Sequence, residues 1–168
     1  MDMATSALSR VRPGGCHTCL QMNEEEMMMH RHSPTEGAMP LKGIRVLDMS
    51  RVVAAPTVAL VLGDLGAEVI KLEHPRRGDD TRDWGAGMGE KQTAYFNSVN
   101  RNKRSIGVDI QTPEGVDLVR RLAAVSDVVV QNFKVGAADR LGVGDKQLRA
   151  VNPGLIYCSI SGYAVDSE

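Results

Sequence analysis

From residue 41 onward the chain alternates short, apolar, β-branched runs with segments that carry helix signals, and this alternation limits the folds open to it. "IRVLDM" (44–49) reads as a buried strand and is followed by Ser50. In "PTVALVLGDLG", Pro56 suits a first helical turn, Val58, Leu62 and Leu65 form an apolar face, and Gly66 suits the cap at the carboxyl end. "AEVIKLE" (67–73) predicts a second strand, "SIGVDI" (105–110) a third, "DVVVQN" (127–132) a fourth and "LIYCSI" (155–160) a fifth. Thr112-Pro113 makes a cap and first-turn pair ahead of one helical stripe of Val116, Val119, Leu122 and Ala123. "KQLRAVN" (146–152) predicts a short helix, and the four glycines between His74 and Gly89 mark a loop. Strands that are apolar along their length and separated by helices predict a Rossmann-like α/β fold, a parallel sheet with helices on both faces.

In such a sheet ligands lie beyond the carboxyl ends of the strands. The residues expected there are Ser50 to Ala55, His74 to Arg82, Gln111-Thr112, Asn132-Phe133-Lys134 and Ser161-Gly162-Tyr163. No G-x-G-x-x-G follows the first strand and no G-x-x-x-x-G-K-[ST] occurs, which argues against a nicotinamide dinucleotide or a P-loop nucleotide. The strand ends are cationic instead, with Arg51, Arg76, Arg77, Arg82, Arg104, Lys134 and Arg140. A guanidinium meets phosphate oxygens with two hydrogen bonds, and lysine adds a point charge. Val53, Ala54 and Phe133 offer apolar surface to a pantetheine arm or an adenine ring. The set fits an acyl carrier that bears phosphates. The plainer reading pairs the arginines with Asp79, Asp80 and Asp83. Asp79-Asp80 reads as a helix cap or a partner of Arg82 rather than a magnesium site, and Trp84, Tyr95 and Phe96 read as packing residues.

Composition narrows the partners. A length of 168 residues with 42% hydrophobic content suits one ordinary domain. A net charge of −1 gives no general attraction to nucleic acid, and "NRNKRS" is too short a basic run to supply one. No run approaches the roughly 18 apolar residues of a membrane span. Cys16, Cys19 and Cys158 are an odd number, which suits a reducing compartment. Residues 1–40 lack sustained periodicity and read as a disordered leader. Arg10 and Arg12 give it a faint transit-peptide character that Asp2 and Glu24 to Glu26 oppose, so the cytoplasm is expected, with the mitochondrial matrix as the alternative. Within the leader, Cys16 and Cys19 with His30 and His32 miss the usual zinc-finger spacing, and no metal is expected.

"LKGIRVLDMSRVVAAP", "LGDLGAEVIKLEHPRRGDDTR", "FNSVNRNKRSIGVDIQTPEG", "VVVQNFKVGAADRLGVG" and "NPGLIYCSISGY" occur in order between Leu41 and Tyr163. Together they resemble the amino-terminal part of class III CoA-transferases, the family of formyl-CoA, carnitine and succinate–hydroxymethylglutarate CoA-transferases. The resemblance implies an enzyme that moves coenzyme A from an acyl-CoA to a free carboxylic acid. By position, the coenzyme contacts fall on Arg51, Val53 and Ala54, on the stretch from Val108 to Gln111, on Asn132 and Phe133 with Lys134 beside them, and on Arg140. Some members carry an arginine just after the second strand, where this chain has His74, with Arg76 and Arg77 close by. The family nucleophile is an aspartate well downstream of the motif resembling "SGY", and Asp166 follows Tyr163 too soon to be it. The resemblance therefore implies a portion, residues 41–168, that is incomplete relative to the family, binds coenzyme A and is inactive alone. Family members form interlocked homodimers through later parts, so that assembly is not expected of this stretch. "GDDTR" and "NRNKRSI" lean toward members that use dicarboxylates. A stand-alone, non-catalytic CoA-binding or interaction module is the alternative, and a receiver-like domain would need an acidic cluster after the first strand.

Overall fold

The computed structural model describes residues 39–89 and 92–162. The predicted leader up to residue 38, with its Cys and His residues, lies outside the described residues, as do Tyr163 and Asp166. The elements in order are β1 (Arg45–Asp48), α1 (Ala54–Asp64), β2 (Glu68–Glu73), a 3-10 turn (Asp80–Asp83), α2 (Ala94–Asn100) and β3 (Lys103–Gly107). They are followed by α3 (Pro113–Ala124), β4 (Val128–Gln131), α4 (Ala137–Arg140), α5 (Asp145–Val151) and β5 (Ile156–Ser159). All strand pairs are parallel and the sheet runs β3-β2-β1-β4-β5. The chain steps outward from β1 to β3, then crosses back to place β4 on the other side of β1. The strand order reverses between β1 and β4, where the connections on the two sides part and open a crevice.

The two-residue alternation of strands divides the core. On one face Val46, Val69 and Val130 pack beneath Ala55 and Ala59 of α1, small residues that let the helix lie close. On the other, Leu47, Leu72 and Val129 meet Val119, Leu122 and Ala123 of α3 and Leu148 of α5. Local signals place the helix ends as expected. The Thr112 hydroxyl accepts the Gly115 N–H at 3.1 Å, and Gly66, just beyond the end of α1, adopts a φ of 101° that a side chain would strain.

Four points differ from expectation. The strands are not apolar throughout: Asp48, Lys71 and Glu73 are all buried, on the same side of the sheet as α1. The third strand begins at Lys103 rather than residue 105, because its register is set by pairing with β2. The helix α2 was not foreseen. Its Tyr, Phe, Asn, Ser and Val residues are weak helix formers, and it is held by the Thr93 cap on the Phe96 N–H at 3.0 Å and by burial of Phe96. The short α4 was also not foreseen. Among the described residues no helix is long and apolar enough to cross a membrane.

The start of α3 is packed against the chain that precedes it. A Cβ on Gly115 would stand 1.9 Å from the Asp109 carbonyl oxygen. Gly115→Ala is therefore expected to destabilise the fold by about 2–3 kcal/mol in urea unfolding, through displacement of backbone rather than of a side chain. An unchanged midpoint would show that the Asp109 turn yields freely.

Candidate functional site

At the switch point, the segment from Ser50 to Ala54 leaves β1 and enters α1. Asn132, one residue past β4, holds this segment from the side: its Oδ1 accepts the Arg51 N–H at 2.9 Å and its Nδ2 donates to the Arg51 carbonyl at 2.9 Å. Two predicted site residues that are 81 positions apart are thereby joined. The Arg51 side chain crosses toward the loop after β2, where one guanidinium nitrogen contacts both oxygens of Asp80 at 2.7 and 2.8 Å. No side chain caps α1, whose cap position is Val53, and the positive end of the helix lies just after this segment, beyond the carboxyl end of β1. Beyond β4, Phe133 packs against the apolar core and its N–H donates to Gln131 Oε1 at 2.6 Å. Lys134 is exposed at the start of the turn into α4, and its carbonyl accepts the Ala137 N–H at 2.8 Å. Exposed Arg140 folds back over this turn, since a Cβ on Gly136 would lie 3.1 Å from its guanidinium.

Beneath this rim lies a chain of buried charges that sequence reasoning missed. Lys103 donates to Asp48 at 2.9 Å, to the Pro56 carbonyl at 2.8 Å and to Asn100 at 2.9 Å. Asp48 also accepts from the Ser50 hydroxyl in a short contact. Lys71 lies 3.0 Å from Asp79, both side chains being 1% exposed, and donates to the Ser50 carbonyl at 2.8 Å. Glu73 receives Arg82 at 2.6 and 2.7 Å, the Ser105 hydroxyl and the Asp79 N–H. Burial opposes the charged forms of Glu73 and Asp79. It is outweighed by Arg82 in the first case and by Lys71 with Thr81 in the second, so both carboxyls sit below their ordinary values. Burial lowers the Lys103 ammonium, and Asp48 restores only part of that. The available sequence signal was a charge inside a strand covered on both faces: Asp48 in "IRVLDM" and Lys71 in "AEVIKLE" each require a partner.

The other predicted residues fall in different places. Val108 is buried in the apolar core, so a ligand could meet only its backbone. Gln111 is exposed beyond β3, which stands two strands from β1, on the order of 10 Å away. His74 shapes the turn after β2, its Nδ1 accepting the N–H groups of Arg76 and Arg77 at 3.2 and 3.3 Å. Arg104 is not at the rim: it lies early in β3 and binds Glu68, the first residue of β2, at 2.8 Å. Asp79 does cap the 3-10 turn, through the Thr81 N–H at 3.0 Å, while Arg82 pairs with Glu73 rather than with either loop aspartate and stacks over Phe96 at 3.7 Å. Trp84 and Tyr95 rest on each other at 5.6 Å with much of their surface exposed.

The parallel sheet has counterparts in known proteins. Residues 41–168 match the family described as CoA-transferase family III. The chain belongs to that family. It is 49% identical over 131 residues to succinyl-CoA:glutarate CoA-transferase from Mus musculus, covering 78% of this chain and 30% of that protein. It is 48% identical over 130 residues to succinate–glutarate CoA-transferase from Agrobacterium fabrum, covering 74% of this chain and 32% of that protein. A solved CAIB/BAIF family protein from Brucella suis superimposes with a TM-score of 0.73 at 48% identity, covering 78% of this chain and 35% of that one. The chain thus spans about a third of the length of the curated relatives it matches.

The depressed carboxyls carry a pH signature. A group that titrates lower when folded contributes its full stability above the unfolded carboxyl range and loses it as pH falls through its folded value. The urea midpoint is expected to hold steady down to about pH 5 and to drop steeply by about pH 3. A midpoint flat across that interval would mean that Glu73 and Asp79 gain nothing from Arg82 and Lys71.

Proposed function

We propose that this stretch is the coenzyme-binding portion of a class III CoA-transferase that moves coenzyme A from succinyl-CoA, or a similar acyl-CoA, to a dicarboxylic acid. The observation that carries the reading is the pair of hydrogen bonds by which Asn132 ties the Arg51 backbone to the end of β4. It joins Arg51 to the end of β4, next in sequence to Phe133 and Lys134, and Arg140 folds back over the adjoining turn. The donor set suits a phosphorylated carrier. Arg51 uses one nitrogen on Asp80 and among the described residues leaves Nε and Nη1 for an oxyanion. Lys134 and Arg140 add positive charge, and the α1 amino end adds backbone amides. Phe133, Val53 and Ala54 supply apolar contact for the pantetheine arm. The relatives named for succinyl-CoA and glutarate support the dicarboxylate preference.

In the transfer we propose, an aspartate carboxylate attacks the acyl-CoA thioester, giving a mixed anhydride and releasing the CoA thiolate. The thiolate then attacks the enzyme carbonyl of the anhydride, freeing the first acid and leaving an aspartyl-CoA thioester. The incoming carboxylate collects the CoA by the reverse pair of steps, so a difficult exchange is split between two activated acyl groups. Asp48, Glu73 and Asp79 are buried against Lys103, Arg82 and Lys71, and Asp80 is held by Arg51. These four carboxylates serve as counterions, which argues against any of them as the nucleophile. We place residues 41–168 as the binding portion and residues 1–40 as a leader separate from it; the reducing compartment in which it acts is proposed to be the cytoplasm.

Titration calorimetry of the 168-residue protein with CoA is expected to show binding. Arg140→Ala should weaken it about tenfold, the loss of one charge-assisted contact. Absence of heat with the folded wild-type protein would remove the coenzyme reading. The same protein should exchange no CoA between succinyl-CoA and glutarate, and turnover with an acyl group retained on an enzyme carboxylate would place the nucleophile within this chain.

A further inference from the structure

We propose that the buried Lys71–Asp79 pair is the positioning device of the coenzyme loop: it holds Val52 in a left-handed backbone conformation and so fixes the Arg51–Ala54 segment for ligand. The inference rests on the reading of that segment as a coenzyme contact. Val52 has a φ of 70°. That is a strained state for a β-branched residue, and such strain persists where the surroundings over-determine it.

Here they do so group by group. The Ser50 N–H donates to Asp48 Oδ1 at 2.9 Å and its carbonyl accepts from Lys71 Nζ at 2.8 Å. The Arg51 N–H and carbonyl are both taken by Asn132 at 2.9 Å. The Val52 N–H points at the two oxygens of Asp79, at 3.3 and 3.4 Å. Lys71 and Asp79, 3.0 Å apart, thus close a ring through the Ser50 carbonyl and the Val52 amide, while Asn132 grips the residue between them.

Two facts separate positioning from direct contact or mere stability. Both side chains are 1% exposed, so neither can touch a ligand in the crevice. A buried ion pair is also a poor way to stabilise a sheet, since apolar replacements of similar volume often do as well. What this pair provides that an apolar pair could not is a donor for the Ser50 carbonyl and an acceptor for the Val52 amide. Asp79 also caps the 3-10 turn through the Thr81 N–H at 3.0 Å and the Thr81 hydroxyl at 2.7 Å, and the next residue is Asp80, the partner of the Arg51 guanidinium. One carboxylate therefore steadies both the backbone of Arg51 and the group that aims its side chain.

The test uses the neutral double variant Lys71→Met/Asp79→Leu, which removes both the donor to the Ser50 carbonyl and the acceptor of the Val52 amide and leaves no unpaired buried charge, alone and combined with Val52→Gly. Glycine adopts a positive φ without strain and makes the ring unnecessary. With CoA titrated into each, the double variant is expected to bind about tenfold more weakly than wild type, and added Val52→Gly to recover most of that loss. A role confined to stability would shift the thermal midpoint but give no recovery by Val52→Gly. The inference is overturned if the double variant binds like wild type, or if Val52→Gly leaves its affinity low. Should the double variant not fold, Val52→Gly and Val52→Pro in the wild-type background decide the matter. Proline cannot reach a positive φ and lacks the N–H, so glycine should bind CoA and proline should not. Equal binding by the two overturns the inference. A wild-type protein that is folded but binds no CoA takes down the coenzyme reading itself, whereas normal wild-type binding with indifferent variants takes down only the role of Lys71 and Asp79.

Discussion

The carboxyl half of the sheet, on the side covered by α1, is charged and dry, and each charge there must find a partner within the protein. Asp48 and Lys71 are register neighbours across β1 and β2, yet neither settles for the other. Asp48 takes Lys103 from β3, and Lys71 takes Asp79 from the loop after β2. Glu73, next along the same face, takes Arg82 from that loop. An unpaired ion at any of these positions would cost several kcal/mol of desolvation, roughly the whole stability margin of a domain. The loop after β2 is therefore committed to one path, with Asp79 and Arg82 as its two anchors.

This commitment divides the rim into two kinds of residue. The buried carboxylates are consumed as counterions and as acceptors for backbone N–H groups. The cations above them, Arg51, Lys134 and Arg140, stand at the surface, where an anionic ligand can reach them. Neighbouring aspartate and arginine residues in "RRGDDTR" thus do different work: Asp79 and Arg82 are scaffold, while Asp80 meets Arg51 at the surface. Among the described strands, the order reverses only between β1 and β4, and it is there that Arg51 and Asn132 meet.

Much of the fold was legible as pattern. Short apolar runs gave the five strands, and Thr112-Pro113 and Gly66 marked helix ends, because these signals act within a few residues of where they stand. The helix α2 was not legible, since its stability comes from the Thr93 cap and from burial of Phe96 rather than from propensity. The position of Arg104 was misjudged because the start of β3 depends on its register with β2, a pairing between segments far apart in the chain. At the site, Arg51 and Asn132 were both legible as strand-end residues. That they hold each other was not, because the hydrogen bonds span 81 positions.

The sequence by itself determined that this would be a parallel α/β sheet with a cationic carboxyl rim and the motifs of its family, since alternation, caps and short motifs are local. Only the tertiary structure decided which charges are buried as scaffold and which stand at the surface. That division depends on desolvation and on the partner each group meets, and both exist only once the strands are side by side.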